Sequence, residues 1–134
     1  MRFKSVIIAF ILSTNVGWGQ SNVDSIDVKF NSCIDTSFST YNMLMCIEEA
    51  MEKWNVKLDS TYKTLINKLD SARKQGVIKS QKSWGAYFDD QVELWESFNE
   101  NVSHAWDYDR YYIMIGLVRA RNKVLESYLY SIGE

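Results

Sequence analysis

Cys33 and Cys46 are the only cysteines of the chain, and His104 is its only histidine. A transition-metal site needs several such side chains at ligand spacing, and a di-iron bundle needs a carboxylate three residues before a histidine on two helices. One histidine cannot supply either. Ser103, His104 and Asp107 stand close together, but a hydrolytic triad is assembled from separate elements so that each side chain can point at the next. A polar loop between helices is the plainer reading of that stretch. Glycine-rich phosphate loops, Walker patterns and dinucleotide fingerprints are absent from the sequence. These residues point away from an enzyme and away from a cofactor or metal, and leave the two cysteines to pair with each other.

Charged and aromatic side chains offer binding chemistry instead. Asp89, Glu93, Glu96 and Glu100 recur at steps of four, three and four, which lines four carboxylates along one side of a helix. Like charges at that spacing repel, so the stripe is either a docking face for a basic partner or a solvated face paired with Arg119, Lys123 or Arg110 across the bundle. Arg121 continues the apolar spacing of Tyr111, Met114, Val118, Leu125 and Tyr128. An unpaired charge in such a seam is costly, and the expectation is a salt bridge to Asp59 or Asp89. Trp54, Trp84 and Trp95 fall at core spacing, whereas Trp106 and Tyr108 precede the last helix and are the aromatics placed for surface recognition. Asn101, Val102 and Ser103 form a glycosylation acceptor pattern, which has meaning only in a eukaryotic source.

The elements that must position these residues are helices. The chain holds no proline, so long helices can run without interruption. Ser39 and Thr40 are good caps for a helix whose apolar face is Leu44, Ile47, Met51, Trp54, Leu58, Thr61 with Tyr62, Leu65, Leu69 and Ala72. Pairs four apart, Glu49 with Lys53, Asp59 with Lys63 and Asp70 with Lys74, support it, and Gly76 is its expected stop. A third helix runs from Ile78 through Trp84, Phe88, Val92, Trp95 and Phe98. A fourth runs from Asp107 or Asp109 to Ser131, with Tyr111 to Val118 apolar on nearly every side and expected to be the most buried stretch. Val23, Ile26, Phe30 and Ile34 mark a short first helix.

At 1.5 Å per residue the second helix would span roughly 50 Å and the third and fourth roughly 35 Å. The short helix would cover the overhang, held by a Cys33–Cys46 disulfide. The expectation is an all-α antiparallel bundle of three main helices plus a short N-terminal helix tied by that disulfide.

Met1, Arg2, Phe3 and Lys4 precede the apolar run Val6 to Leu12, and small and polar residues lead to Gly19. That is the form of a secretory signal peptide over residues 1–19, leaving residues 20–134 as a single domain. The apolar run is shorter than the roughly 20 residues of a membrane span, and the first cysteine lies too far on to accept a lipid. A periplasmic or secreted protein without a retained membrane anchor is expected. The leader carries two basic residues and no acidic one, so the mature formal charge is −2 − 2 = −4. That sign disfavours nucleic acid and allows a basic protein. An exported chain is also one in which a disulfide persists.

The stretch MCIEEAMEKWNVKLDSTYKTL, followed after a turn by QKSWGAYFDD, resembles the LprI-type lysozyme-inhibitor family. A cysteine precedes the family's helix motif, matched here by Leu58, Asp59, Tyr62 and Leu65. Its Gln, two residues, Trp signature is matched by Gln81 and Trp84, with Tyr87 and Asp89 following. Its Arg, three residues, Leu ending is matched by Arg121 and Leu125. Asn55 stands where the family often has an acid and Phe88 where it often has an arginine. Val92 and Ile113 or Met114 stand where it often has a second cysteine pair. The resemblance implies a helical envelope protein and, as in some members, inhibition of c-type lysozyme, with Asp89, Glu93, Glu96, Trp106 and Tyr108 as contact residues. A non-catalytic envelope module with a dedicated protein partner of its own is the alternative.

Overall fold

The structure, a computed structural model, describes residues 23–99 and 107–133. It comprises α1 (Ser25–Asp35), α2 (Thr40–Lys68), α3 (Ser71–Asn99) and α4 (Asp107–Gly133), with no strand among the described residues. The all-α class is therefore the one adopted. The leader expected at residues 1–19 and the segment holding Ser103, His104 and Trp106 lie outside the described residues.

Helix starts are set by side chains that accept hydrogen bonds from otherwise unpaired amides. Asp24 accepts from the Ile26 amide at 2.9 Å, Ser39 from the Asn42 amide at 3.2 Å, and Asp70 from the Arg73 amide at 2.9 Å. The third cap corrects the expected extent of the second helix. Helix α2 ends at Lys68, Leu69 is extended at φ −95° and ψ 148°, and Asp70 opens α3. Gly76 is thus inside α3 and stops nothing. Leu69 is the last residue of the apolar stripe to pack on the core, and Ala72 is exposed, so continuing α2 would have buried little more. Asp70 pairs with Arg73 at 3.4 Å in place of the expected Lys74, while the Glu49–Lys53 and Asp59–Lys63 pairs form as expected. With 29, 29 and 27 residues the three long helices are nearly equal, each about 40 Å long. No overhang exists for α1 to cover.

Cross-contacts fix the directions. Arg121 of α4 meets Gln81 of α3, and Arg110 meets Glu96, so these two helices are antiparallel. Going backward along α1, Phe30, Asp27 and Asp24 meet Tyr112, Arg119 and then, through Lys57 of α2, Glu126. Helices α2 and α4 therefore run the same way, and α3 is the return between them.

The α2–α4 contact is the most extensive in the molecule, α1 lies on α2, and α3 touches its neighbours least. The core consists of Ile47, Ala50, Trp54, Leu58 and Leu65 from α2, Ile115, Val118 and Leu125 from α4, and Phe30 from α1. Each of the larger side chains contributes about 1.5–3 kcal/mol by leaving water. No residue of α3 is fully buried; Val77, Trp84 and Phe88 lean on the core from outside. That arrangement corrects the expectation for Tyr111 to Val118. Met114, Ile115 and Val118 are buried, but Tyr112 and Ile113 are about half exposed, because α2 and α1 cover one side of α4 only. Asn122 is wholly buried beside this seam, with neither amide atom hydrogen-bonded among the described residues.

Helix α1 is held by sulfur and by charge. Cys33 and Cys46 form a disulfide with Cα atoms 5.8 Å apart. Asp27 accepts from Trp54 Nε1 at 3.0 Å and from Arg119 at 2.9 Å, joining α1 to both α2 and α4. Lys57 pairs with Asp24 and, at 3.3 Å, with Glu126. Burial alone would raise the Asp24 carboxyl; the Lys57 ammonium and the Ile26 amide outweigh it and hold the group below its ordinary value of 3.8.

Replacing both Cys33 and Cys46 with Ser lowers the unfolding free energy by about 3 kcal/mol, because the bond closes a short loop in the unfolded chain. Urea denaturation checks this, and an unshifted midpoint contradicts it. Because the Asp24 value is depressed on folding, its contribution is complete above the unfolded value and lost as pH falls through the folded one. Acidification below about pH 4 accordingly removes stability through this pair. In Lys57→Met burial dominates Asp24, so the acid limb of a stability-versus-pH curve becomes shallower; an identical limb refutes the assignment.

Candidate functional site

Helix α3 presents two faces. Trp84 and Phe88 turn toward the core, with ring centroids 5.5 Å apart, which aims Asp89, Glu93 and Glu96 at solvent. Tyr87 is 46% exposed on a different face. Of the three carboxylates, Glu96 meets Arg110 of α4 at 3.0 Å. Asp89 and Glu93 have no ion pair among the described residues, and Arg119 is engaged by Asp27 instead. Glu100 lies outside the described residues.

Charge along α3 is segregated. Arg73, Lys74, Lys79 and Lys82 occupy its first half, and Asp89, Asp90, Glu93 and Glu96 its second. This order opposes the helix dipole, which favours anions at the start and cations at the end. The dipole thus gives the acidic half no stabilisation, and Asp89, Asp90 and Glu93 face water.

Apolar surface is exposed at the same end of the bundle, on other faces of α3 and α4. Leu94, Tyr112 and Ile113 are 48–53% exposed, and Phe98 is 80% exposed. Between them Gln91, Leu94, Trp95, Phe98, Ile113 and Met114 line a shallow cleft of about 210 Å³. Tyr108 sits in the first turn of α4, half-buried and stacked on Tyr112 with centroids 6.4 Å apart, so it props Tyr112 outward. Trp106, expected beside it, lies outside the described residues. Sequence spacing identifies the carboxylates and does not identify this apolar surface. Phe98 fits a core stripe by spacing, and the outward position of α3 exposes it.

The motif residues collect elsewhere. Leu58 and Leu65 are buried, Tyr62 packs on the core, and Asp59 is exposed and paired with Lys63. Arg121 does not form the expected bridge to Asp59 or Asp89. Its Nε donates to Gln81 Oε1 at 2.9 Å, and its terminal nitrogen donates to Ser80 Oγ at 3.0 Å. Neutral oxygens suffice because the guanidinium is at the rim of the seam and remains partly wet. Burial pushes its pKa below the ordinary arginine value. Beside it Leu69, Val77, Leu125 and Ile132 line a second cleft, of about 520 Å³, at the opposite end of α3 from the carboxylates.

Among the described residues no group of three or more His, Cys, Asp or Glu is placed to hold a metal ion, and no helix is long and apolar enough to cross a membrane. Neither curated proteins nor solved structures yielded a match to the chain. A family model described as "Lysozyme inhibitor LprI" matches residues 33–125, a span that begins at the first disulfide cysteine and ends at Leu125 of the α4 motif. With the disulfide, the Gln81–Arg121 contact and well over half the chain inside that match, this protein belongs to the LprI lysozyme-inhibitor family.

Proposed function

We propose that this protein is an exported, non-catalytic inhibitor that binds a basic lysozyme of the c type through the acidic half of α3. The observation that carries the reading is the family match over residues 33–125. Asp89 and Glu93, exposed and without ion pairs among the described residues, supply charge complementary to a basic enzyme. Phe98 and Ile113, exposed at the same end of α3, supply apolar anchors of the kind that interfaces favour. Glu96, Trp106 and Tyr108 complete the contact set. Carboxylates entering a basic cleft compete with substrate and need no chemistry of their own.

Export rests on the signal-peptide form of residues 1–19 and on the disulfide, which persists in oxidising compartments. The working location is then the periplasm or the extracellular space.

A turbidity assay with hen-type lysozyme and a suspension of bacterial cells tests the reading. The oxidised mature protein slows clearing in proportion to its concentration, and added salt weakens the effect by screening. Asp89→Lys combined with Glu93→Lys raises the half-inhibitory concentration about tenfold or more, equivalent to at least about 1.4 kcal/mol of binding. Undiminished clearing at a large molar excess of inhibitor overturns the proposal.

A further inference from the structure

The second cleft has a chemistry that lysozyme binding does not use. It opens between the first turns of α3 and the last turns of α4, and its volume of about 520 Å³ lies within the range of small-molecule sites. Leu69, Val77, Leu125 and Ile132 make its walls apolar. Two cations stand on it, and they differ in state. Arg73 is already paired with Asp70 at 3.4 Å. Arg121 is not: its two hydrogen bonds go to the neutral oxygens of Gln81 and Ser80, and no carboxylate lies within 4 Å of it among the described residues. A guanidinium has five N–H donors, so an anion at the cleft mouth would find both donors and uncompensated charge.

Gly76 lines the cleft from inside α3, and a Cβ added there would meet nothing within 4 Å, so a larger side chain can enter the cleft from this position. Its backbone has ordinary helical φ, so no left-handed turn calls for glycine.

We propose that this cleft binds a single-chain fatty carboxylate, with the carboxylate on Arg121 and the chain laid over Leu69, Val77 and Ile132. A charged head without a chain would leave the apolar walls wet, and a chain without charge would leave Arg121 uncompensated. The site is at the other end of α3 from Asp89 and Glu93, so the two binding functions are separable.

Titration calorimetry of the oxidised protein with decanoate, decan-1-ol and acetate is the test. Decanoate binds saturably at one site, while decan-1-ol and acetate each bind at least tenfold more weakly. Arg121→Gln weakens decanoate at least tenfold. Gly76→Phe fills the cleft from an open position and does the same, which keeps the test available if Arg121→Gln fails to fold. Inhibition of lysozyme by Gly76→Phe stays at the wild-type level. Absence of saturable decanoate binding, equal binding of decan-1-ol, or undiminished binding by Gly76→Phe overturns the proposal.

Discussion

Helices α2 and α4 run in the same direction with Trp54, Leu58 and Leu65 set against Ile115, Val118 and Leu125. Parallel neighbours cannot be joined by a short turn, so the chain must travel back along the bundle before α4 can begin. Helix α3 is that return. Because the α2–α4 seam already satisfies the apolar faces of both partners, α3 lies outside it and buries no residue fully. The peripheral position of α3 is what makes it available for binding along its whole length.

The N-terminal clamp follows from the same constraint. The side of the seam away from α3 needs a cover, and the 11-residue α1 supplies it with Phe30. So short a helix is marginal alone. The Cys33–Cys46 bond anchors one end and the Asp24, Asp27, Lys57 and Arg119 contacts the other. Trp54 illustrates the economy of this arrangement: its ring is core, and its Nε1 hydrogen reaches Asp27, so a buried indole is satisfied by the helix that covers it. Helices α1, α2 and α4 are thereby tied to one another. The carboxylates and the Arg121 cleft occupy opposite ends of the remaining helix.

Much of this was legible in residue spacing. Ile47, Trp54, Leu58 and Leu65 recur at helical steps and are buried in that register, and Ser39 caps the helix it precedes. The disulfide followed from two cysteines in a chain with the form of an exported protein. Where burial differs from expectation, the reason is that periodicity reports that a face is apolar and does not report what covers it. Tyr112 and Ile113 are apolar but half exposed because the packed side of α4 is the other one, where Met114, Ile115 and Val118 lie. Arg121 interrupts an apolar stripe, yet its partners are Gln81 and Ser80, since the rim position leaves it partly solvated and the facing turn of α3 offers no carboxylate. The α2–α3 break was misplaced because Gly76 looked like a helix stop, whereas the local hydrogen bonds of Asp70 decide the boundary. Asp24 and Asp27, which tie α1 down, went unnoticed; a buried tryptophan in need of an acceptor was the available signal.

Native-state hydrogen exchange on the oxidised protein tests most directly whether the α2–α4 seam carries the fold while α3 rides on it. Amides in the middle of α2 and α4 are predicted to exchange only through global unfolding, and those of α3 through a smaller, separate opening with clearly lower protection. Protection in α3 equal to that in α2 and α4 would contradict the account.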